Sequence, residues 1–470
     1  MKKQFLMRYF ILFLFTVCVS NSNAQEKWVK VDCGTDFSLA LKSDGTIWSW
    51  GYNANGQLGD SSLFSRSAPD QIGQDTDWKD ISCGAFHVLA LKKDNSLWVW
   101  GLNGNGQLGL GNNNSYSYPI LMDTFKNWSE IDAGQAHSIA IKTDGTAWCW
   151  GLNTNGQLGN GTTKDANRPI QINTDKDWKE ISGGGGHSMA IKNGGELWAW
   201  GTNGRGQLGA GTAFRYYQPT RIGSKSDWKE VSAGFAFTLA IKSDNTLWSF
   251  GDNPVGQLGN GTTNRDSFPS QIATFASWKT ISAGSAHSMG ITTNGEMYAW
   301  GFNNNGQLGI GNSISKLNPT AVGTDTDWVE IANSEGQISG TDLTGFHSLG
   351  IKEYGKIICG AGKNTSGQLG DSTNTIRQGI SCKTGKLAED IADNVQNSND
   401  SKKEVLVYPN PVRSGAINLE RPISFSLFDT FGTQVLRVEE ALNADVSQLN
   451  TGVYWLMFDS GISTKIMIYN

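Results

Sequence analysis

The residues best suited to chemistry are the five histidines, which share one local motif at a spacing of about 50 residues: His87, His137, His187, His287 and His347. A ring of imidazoles can bind a metal ion or sense pH. However, Phe37 and Phe237 stand at the same position of two further copies of the motif. A position that accepts phenylalanine is selected for packing, and zinc needs ligands that converge within about 2.0–2.3 Å of one point. We therefore predict structural histidines and no metal site.

Motifs of known catalytic centres are absent from the sequence. It contains no G-x-S-x-G nucleophile elbow, no H-E-x-x-H zinc motif and no P-loop. The glycine run 183–186 has the composition of a phosphate cradle, but it replaces a segment that reads Ala-Gly-Gln-Ala at 133–136. Acidic residues recur mainly at Asp-Gly turns. We predict a protein that is not an enzyme and has no cofactor. The alternative is a glycan-active enzyme that uses two carboxylates from different repeats.

The segment that follows each Gly-Gln-Leu-Gly string differs between repeats, whereas the rest of the repeat is nearly constant. Its aromatic and basic residues are candidates for partner binding: Phe64, Tyr116, Tyr118, Phe214, Arg215, Tyr216, Tyr217 and Phe268. Tyrosine and arginine are enriched among residues that anchor interfaces. The alternative is that these rings only cover the rims of neighbouring repeats. The insertion Asn333 to Thr344 is a further candidate, because long loops often carry function.

A repeat of 50 residues positions all of these side chains. The string Gly-Gln-Leu-Gly occurs seven times, starting at Gly56, Gly106, Gly156, Gly206, Gly256, Gly306 and Gly367. One unit is predicted to hold four strands, which are Trp128 to Asp132, Ser138 to Lys142, Thr146 to Trp150 and Pro169 to Ile172. Asp144-Gly145 is predicted to form a two-residue hairpin turn. Seven such units predict an all-β fold, a seven-bladed β-propeller over residues 25–383.

The ends of the repeat region predict how the ring closes. A first strand, Trp28 to Cys33, begins the region, and the equivalent of a fourth strand ends it near Gln378 to Cys382. We expect one blade to combine both strands, because such a clasp removes two free sheet edges.

The repeat carries a family resemblance. Trp128 to Gly159 follows the pattern W-x-x-I-x-x-G-x-x-H-S-x-A-I-K-x-D-G-x-x-W-x-W-G-x-N-x-x-G-Q-L-G almost without exception. This pattern resembles the regulator-of-chromosome-condensation repeat, and the resemblance extends from Trp28 to about Lys383. The seventh unit departs from it, with Ala361 in place of a tryptophan. The resemblance implies a seven-bladed propeller. It does not imply one function, since the family includes an exchange factor for a small GTPase, secreted inhibitors and scaffold proteins.

The composition argues against one class of function, nucleic-acid binding, and the N-terminal residues predict export. The formal net charge is −5 and only 17% of residues are charged, so the chain lacks the dense basic surface that a nucleic-acid partner requires. Residues 1–24 are predicted to be a signal peptide, with Lys2, Lys3 and Arg8 before an apolar stretch from Tyr9 to Val19. No other stretch is apolar enough to predict a membrane span.

The cysteines are predicted to be small buried residues rather than a disulfide framework, because Cys33 and Cys83 share a repeat position that holds Ala or Gly elsewhere. The sequence leaves open whether Cys382 forms a disulfide with one of the other cysteines.

The last part of the chain differs from the repeats in composition and in strand pattern. Residues 384–404 are polar and predict a linker, and residues 405–470 predict a small antiparallel β-sandwich. Its Tyr-Pro-Asn-Pro opening, its F-D-x-F-G turn and its L-x-T-G-V-Y-W segment resemble the type IX secretion sorting domain of Bacteroidetes. The resemblance implies that the secretion machinery exports the chain through the outer membrane, followed by release or attachment to the cell surface.

These observations predict a secreted or surface-associated binding propeller with an unknown protein partner. The first alternative is a carbohydrate-binding or polysaccharide-active protein that uses the same aromatic residues to bind a surface glycan. The second is a guanine-nucleotide exchange factor, which the export signals disfavour.

Overall fold

The computed structural model describes residues 26–272, 276–334, 336, 338–339, 342–343, 346–384, 407–408, 416–428, 434–449, 452–458 and 463–468. The chain divides into two compact units, Met1–Leu387 and Ala388–Asn470. The predicted signal peptide 1–24 and almost all of the predicted linker 384–404 lie outside the described residues. Among the helices that are described, none is long and apolar enough to cross a membrane.

The first unit contains seven four-stranded antiparallel sheets, one for each repeat, which we call blades 1 to 7. Blade 1 comprises β1 (Trp28–Cys33), β2 (Phe37–Lys42), β3 (Ile47–Gly51) and β4 (Arg66–Gln71). Blade 2 comprises β5 (Trp78–Cys83), β6 (His87–Lys92), β7 (Leu97–Gly101) and β8 (Tyr116–Leu121). Blade 3 comprises β9 (Trp128–Ala133), β10 (His137–Lys142), β11 (Ala147–Gly151) and β12 (Ala166–Gln171). Blade 4 comprises β13 (Trp178–Gly183), β14 (His187–Lys192), β15 (Leu197–Thr202) and β16 (Arg215–Arg221).

The remaining blades follow the same order, with one insertion. Blade 5 comprises β17 (Trp228–Ala233), β18 (Phe237–Lys242), β19 (Leu247–Gly251) and β20 (Asp266–Gln271). Blade 6 comprises β21 (Trp278–Ala283), β22 (His287–Thr292), β23 (Met297–Gly301) and β24 (Lys316–Ala321). In blade 7 a short hairpin, β26 (Ile338–Ser339) and β27 (Asp342–Leu343), separates β25 (Glu330–Asn333) from β28 (His347–Lys352), and a 3₁₀ helix (Glu353–Gly355), β29 (Ile357–Gly362) and β30 (Arg377–Thr384) follow. Positions 335, 337, 340, 341 and 344 of the candidate insertion from Asn333 to Thr344 lie outside the described residues.

Burial explains the order of strands within a blade. The second strands are almost entirely buried, because they lie between two other strands and two neighbouring blades. The fourth strands of blades 1 to 6 are half exposed and contain a proline, as in Arg66–Gln71, which suits the outer edge of a sheet. The hairpin turn differs from the predicted two-residue type. Gly145 has a φ of +80°, Asp144 does not have a positive φ, and the Gly145 N–H donates to the Lys142 carbonyl at 2.8 Å. The Asp144 carboxylate instead accepts the Thr146 N–H at 3.1 Å.

Neighbouring blades are joined through the carbonyl of the glutamine in Gly-Gln-Leu-Gly. Between blades 2 and 3, the Gln107 carbonyl accepts both the Trp150 Nε1–H and the Ser138 Oγ–H at 2.8 Å. Since the Ser138 proton is used in this way, its oxygen accepts the Nε2–H of His87 at 2.9 Å. The histidine is fully buried. One polar chain of tryptophan, serine and histidine therefore crosses the blade junction.

The predicted clasp is wrong. β1 pairs with β2 of its own blade, and β30 pairs with β29 of blade 7, so the two chain ends share no sheet. The reason is that the region starts with a first strand and ends with a fourth strand, which leaves each blade complete. The ring closes through side chains, with Ser38 and the Trp50 indole both donating to the Gln368 carbonyl at 2.8 Å.

The cysteines are mostly as predicted. Cys33, Cys83 and Cys149 are buried and form no disulfide. Cys359 and Cys382 form a disulfide that links β29 to the outer strand β30. The pair that sequence reasoning left open is thus the one that forms.

The described strands of the second unit form one antiparallel sheet. Its order is β31 (Val407–Tyr408), β32 (Ala416–Phe428), β34 (Gly452–Phe458) and β35 (Ser463–Ile468), and β33 (Gln434–Asp445) pairs with β32. Two predicted strands, Ile417 to Glu420 and Ile423 to Phe428, are one long strand. Phe425, Leu427 and Tyr454 are buried. The second layer of a sandwich stays a prediction.

The histidine position should tolerate phenylalanine. His187 donates from Nε2 to Thr238 at 3.1 Å, but Thr238 also donates to the Gln207 carbonyl at 2.8 Å and keeps that bond without the imidazole. We expect His187→Phe to change the free energy of unfolding by less than about 1.5 kcal/mol, as volume-conserving core changes do. His187→Ala should cost about 2–5 kcal/mol, because it leaves a cavity. Urea unfolding of both variants checks this, and equal losses would contradict it.

Candidate functional site

An asparagine that recurs in every repeat forms hydrogen bonds with the backbone where the variable segment begins. In blade 3, the Asn153 Oδ1 accepts the Leu158 N–H at 3.0 Å, and its Nδ2 donates to the carbonyls of Thr162 and Lys164 at 3.1 and 3.0 Å. One side chain therefore connects the turn that contains the glutamine to the variable segment that follows it. Because the asparagine bonds to backbone atoms, the side chains of the segment are free to differ.

All seven variable segments lie at one end of the propeller. Each follows a third strand and therefore emerges beside the connection between the first and second strands, as the bond from the Tyr52 N–H to the Asp36 carbonyl at 2.8 Å shows. Since strand directions repeat in every blade, the segments share this end. We call it the loop face, defined by residues 52–65, 102–115, 152–165, 203–214, 252–265, 302–315 and 363–376.

The structure places the candidate residues in two settings. Phe64 and Phe214 lie on the loop face, whereas the others begin the fourth strands β8, β16 and β20. The exposed members are Phe64 at 80%, Phe214 at 63%, Phe268 at 61%, Tyr118 at 47% and Tyr217 at 41%. Tyr116 and Tyr216 instead pack against the buried clusters between blades. The candidate set therefore divides into exposed rings and structural rings.

Three residues of blade 4, Phe214, Arg215 and Tyr217, form one group, and Phe268 of blade 5 lies apart from them in the sequence. The Arg215 guanidinium lies 4.9 Å from the centre of the Phe214 ring and 5.9 Å from that of Tyr217. Glycines at their contact points leave space for the rings, with Gly156 of blade 3 beneath Tyr217 and Gly211 of blade 4 beneath Phe268. Tyr118 of blade 2 pairs edge-to-face with Tyr116, with centroids 6.2 Å apart. Phe64 stands in the separate segment of blade 1.

A cleft lies between the outer parts of blades 4 and 5. Its volume is about 510 Å³, and Tyr216, Phe268, Trp228 and Trp248 contribute to its lining. Three basic residues, Arg221, Lys225 and Lys242, complete it on one side. The sequence analysis identified two of these aromatic residues and none of the basic ones. A comparison of position 225 across repeats could have found the cleft, since Asp75, Asp175 and Asp325 hold that position in three others.

The histidines do not form a ligand set. Burial lowers the pKa of His187 to about 3 and that of His137 to about 4, so both rings are neutral. Each Nε2 faces the hydroxyl of a different blade, as with His137 and Ser188 at 2.9 Å. Across the described part of the chain, no group of three or more His, Cys, Asp or Glu side chains is arranged to hold a metal ion.

Sequence reasoning missed a set of acidic residues on the first strands, which surround the axis. The third residue of these strands, or its equivalent in blade 7, is acidic in five blades: Asp80, Glu130, Glu180, Glu230 and Glu330. Glu180 accepts the Val231 N–H of the next blade at 2.7 Å, and Glu230 accepts the Ile281 N–H at 3.0 Å. Burial raises the pKa of Glu180 to about 8 and that of Glu330 to about 7. The carboxyl groups of Glu180 and Glu230 therefore join neighbouring blades.

Comparison with known families agrees with this architecture. The RCC1-like domain matches residues 14–239. Two descriptions of the Regulator of chromosome condensation (RCC1) repeat match residues 228–257 and 278–307, and residues 244–291 and 294–335. The secretion system C-terminal sorting domain matches residues 406–469.

Solved structures share the propeller at low sequence identity. Prp20p from Saccharomyces cerevisiae, described together with its binding to Gsp1p and histones, superposes with a TM-score of 0.65 at 20% identity, over 77% of this chain and 89% of that chain. Human WBSCR16 gives 0.60 at 22% identity, over 66% and 85%. Yeast RCC1 (Prp20) bound to Kap60 gives 0.59 at 22% identity, over 69% and 80%. These likenesses confirm the predicted all-β, seven-bladed fold.

The division into exposed and structural rings predicts that removal of a structural ring lowers the free energy of unfolding much more than removal of an exposed ring. Tyr217→Ala removes an exposed ring and should change the free energy of unfolding by about 0.5 kcal/mol or less. Tyr216→Ala removes a ring that packs against the Trp228 cluster and should cost about 2–4 kcal/mol. Chemical denaturation of the two single variants measures the difference. A Tyr217 variant as unstable as the Tyr216 variant would contradict the division.

The axial carboxyl groups predict a pH-dependent stability. Glu180 has its pKa raised from 4.5 to about 8, so protonation favours the folded state and this contribution is lost as the pH rises through that interval. Glu180→Gln stays neutral and keeps an oxygen for the Val231 N–H. We expect it to be more stable than wild type at pH 8 by about 1–3 kcal/mol and equal to it at pH 4.

Thermal melts from pH 4 to pH 8, an interval that brackets the carboxyl titration, measure this difference. Asp70→Asn removes an exposed carboxylate and is the control. If the melting temperatures of Glu180→Gln and wild type differed by the same amount at every pH, titration of Glu180 would not be the cause of the difference.

Proposed function

Because the chain belongs to the RCC1-like propeller family and ends in a secretion system C-terminal sorting domain, we propose that it is an exported binding protein whose loop face holds a protein partner. The sorting domain indicates secretion, with possible attachment at the outer surface of the cell. The propeller then acts outside the cell. A role as exchange factor for a small GTPase fits this location poorly.

The group of Phe214, Arg215 and Tyr217 is the observation that carries the proposal. Phe214 is 63% exposed, although water does not favour so large an apolar surface. The guanidinium stacked near both rings limits their conformations, so less side-chain entropy is lost when a partner binds. Aromatic residues beside an arginine are typical anchors of protein interfaces. The asparagine framework needs none of them, because Lys164 stands at the position of Phe214 in blade 3.

Relatives of the same fold support a role in protein binding. The yeast propeller is described as bound to Kap60 and as a binder of Gsp1p and histones. We do not carry these partners over to this chain, since the identities are near 20%. The proposal includes no catalytic step. The motifs of nucleophilic and metal-dependent hydrolysis are absent from the sequence, and two of the acidic side chains on the first strands, Glu180 and Glu230, accept hydrogen bonds from neighbouring blades.

The proposal predicts that the exposed rings decide affinity. A partner is first captured on the immobilised full chain from envelope or host proteins, identified and purified. The double variant Phe214→Ala with Tyr217→Ala should then weaken its binding by about 2–4 kcal/mol, as removal of anchor residues does. Ile314→Ala is the matched control, since Ile314 holds the position of Phe214 in blade 6 and is 65% exposed. Equal affinities of the double variant and wild type, measured by calorimetry, would remove this group from the interface.

A further inference from the structure

The cleft between blades 4 and 5 has the size and lining of a small-molecule site. Its volume of about 510 Å³ falls within the range of about 300–1,000 Å³ that is usual for such sites. It extends from Gly209 and Phe268, near the loop face, to Lys225 and Trp228, near the opposite end of the blades. Strand β16 forms one wall, and β17 to β20 contribute the other.

Aromatic rings dominate the wall contributed by blade 5. Trp228 and Trp248 meet edge-to-face, with centroids 5.7 Å apart. Phe268 is 61% exposed at the rim, and Tyr216 faces the cleft from blade 4. The Lys242 ammonium already lies 4.7 Å from the centre of the Trp228 ring and 4.1 Å from that of the Trp248 ring, so the open apolar face for a ring-shaped ligand is that of Phe268. The hydroxyl groups of Tyr216 and Thr220 add hydrogen-bonding capacity to the same lining.

The charge of the cleft distinguishes this junction from equivalent ones. In blade 2, the ammonium of Lys92 lies on two tryptophans and pairs with Asp75 at 2.7 Å and Asp77 at 3.0 Å. In blade 4, Lys192 pairs in the same way with Asp175 and Asp177. The equivalent Lys242 has one described carboxylate within 4 Å, that of Asp227 at 3.4 Å.

The missing carboxylate is replaced by a cation. Lys225 stands where blades 1 and 3 supply Asp75 and Asp175 to the lysines of blades 2 and 4. Arg221 replaces a glutamine of those blades, and its guanidinium donates to Ser226 Oγ at 2.9 Å and to the Ser224 carbonyl at 3.2 Å. Two substitutions thus convert a locally acidic position into a basic one. The stability of the blade does not require this change, because the acidic version recurs in the same protein.

We propose that this cleft binds an anionic carbohydrate, a sugar ring that carries a carboxylate. Phe268 contacts the C–H face of the ring, Tyr216 and Thr220 bond its hydroxyls, and Lys225 with Lys242 holds the carboxylate through charge-assisted hydrogen bonds. The proposal does not depend on the protein partner of the loop face, since its basic residues lie at the far end of the cleft.

Calorimetry on the purified full chain with a short oligogalacturonate tests the proposal. The matched ligand is the methyl-esterified oligosaccharide, which has the same rings and no charge. We expect the ester to bind at least about tenfold more weakly, as the loss of one charge-assisted contact implies. Lys225→Asp restores the residue of blades 1 and 3 and should weaken oligogalacturonate binding by about tenfold or more. Lys164→Asp makes the same charge change at an exposed position of blade 3 and should have no effect.

The aromatic wall has its own pair of variants. Phe268→Ala should weaken binding several-fold, while Phe64→Ala, an exposed phenylalanine of blade 1, should leave it unchanged. Failure of oligogalacturonate to bind, equal affinity for its ester, or tighter binding of inorganic phosphate or a nucleoside monophosphate would overturn the proposal. The Phe214→Ala with Tyr217→Ala variant should retain sugar binding, which separates this site from the loop face.

Discussion

The backbone carbonyl of the glutamine in Gly-Gln-Leu-Gly is the constraint on which the propeller depends. It is buried at a junction between blades, where an unpaired carbonyl would destabilise the fold. At several junctions it accepts two hydrogen bonds from the next blade, as Gln107 does from Ser138 and Trp150. Where one donor is lost, the other remains. Gln57 keeps only Trp100, because Val88 replaces the serine, and Gln207 keeps only Thr238, because Phe250 replaces the tryptophan.

This constraint accounts for six of the seven residues at the histidine position. A histidine is useful where the next blade has a hydroxyl whose proton is already used by the glutamine carbonyl, since the imidazole then satisfies the oxygen. Phe37 faces the position of Val88, where there is no hydroxyl to satisfy. Phenylalanine pairs with valine at this junction and histidine pairs with a hydroxyl at five others, but the rule is not strict, because Phe237 faces the position of Ser288, whose hydroxyl donates to the Gln257 carbonyl at 2.8 Å. The constraint also accounts for the low pKa of each imidazole, which is buried without a carboxylate partner.

Periodic features of the fold could be predicted from the sequence, and features that depend on the relation between repeats could not. The four strands of a unit followed from alternation and turn residues such as Asp144 and Gly145. The prediction of how the ring closes was wrong, because the sequence does not show whether β1 and β30 pair within one sheet or lie in separate, neighbouring blades. Tyr216 and Tyr217 look equivalent in the sequence, yet they point to opposite sides of β16 as successive strand residues must. The role of Lys225 required knowing that it lies across a junction from Lys242.

The same constraint places any specific function where the repeats disagree. Residues that serve the glutamine carbonyl can change only where a second donor remains, and the asparagine recurs in all seven repeats, so these residues carry little information about a ligand. The group around Arg215 and the basic substitutions at 221 and 225 break the repeat, but they touch neither framework bond. Moreover, they all fall within one stretch of the chain, residues 214 to 225, which belongs to blade 4 and its connection to blade 5. A ring of near-identical blades gives no structural reason for that concentration, whereas a binding region that spans one junction does.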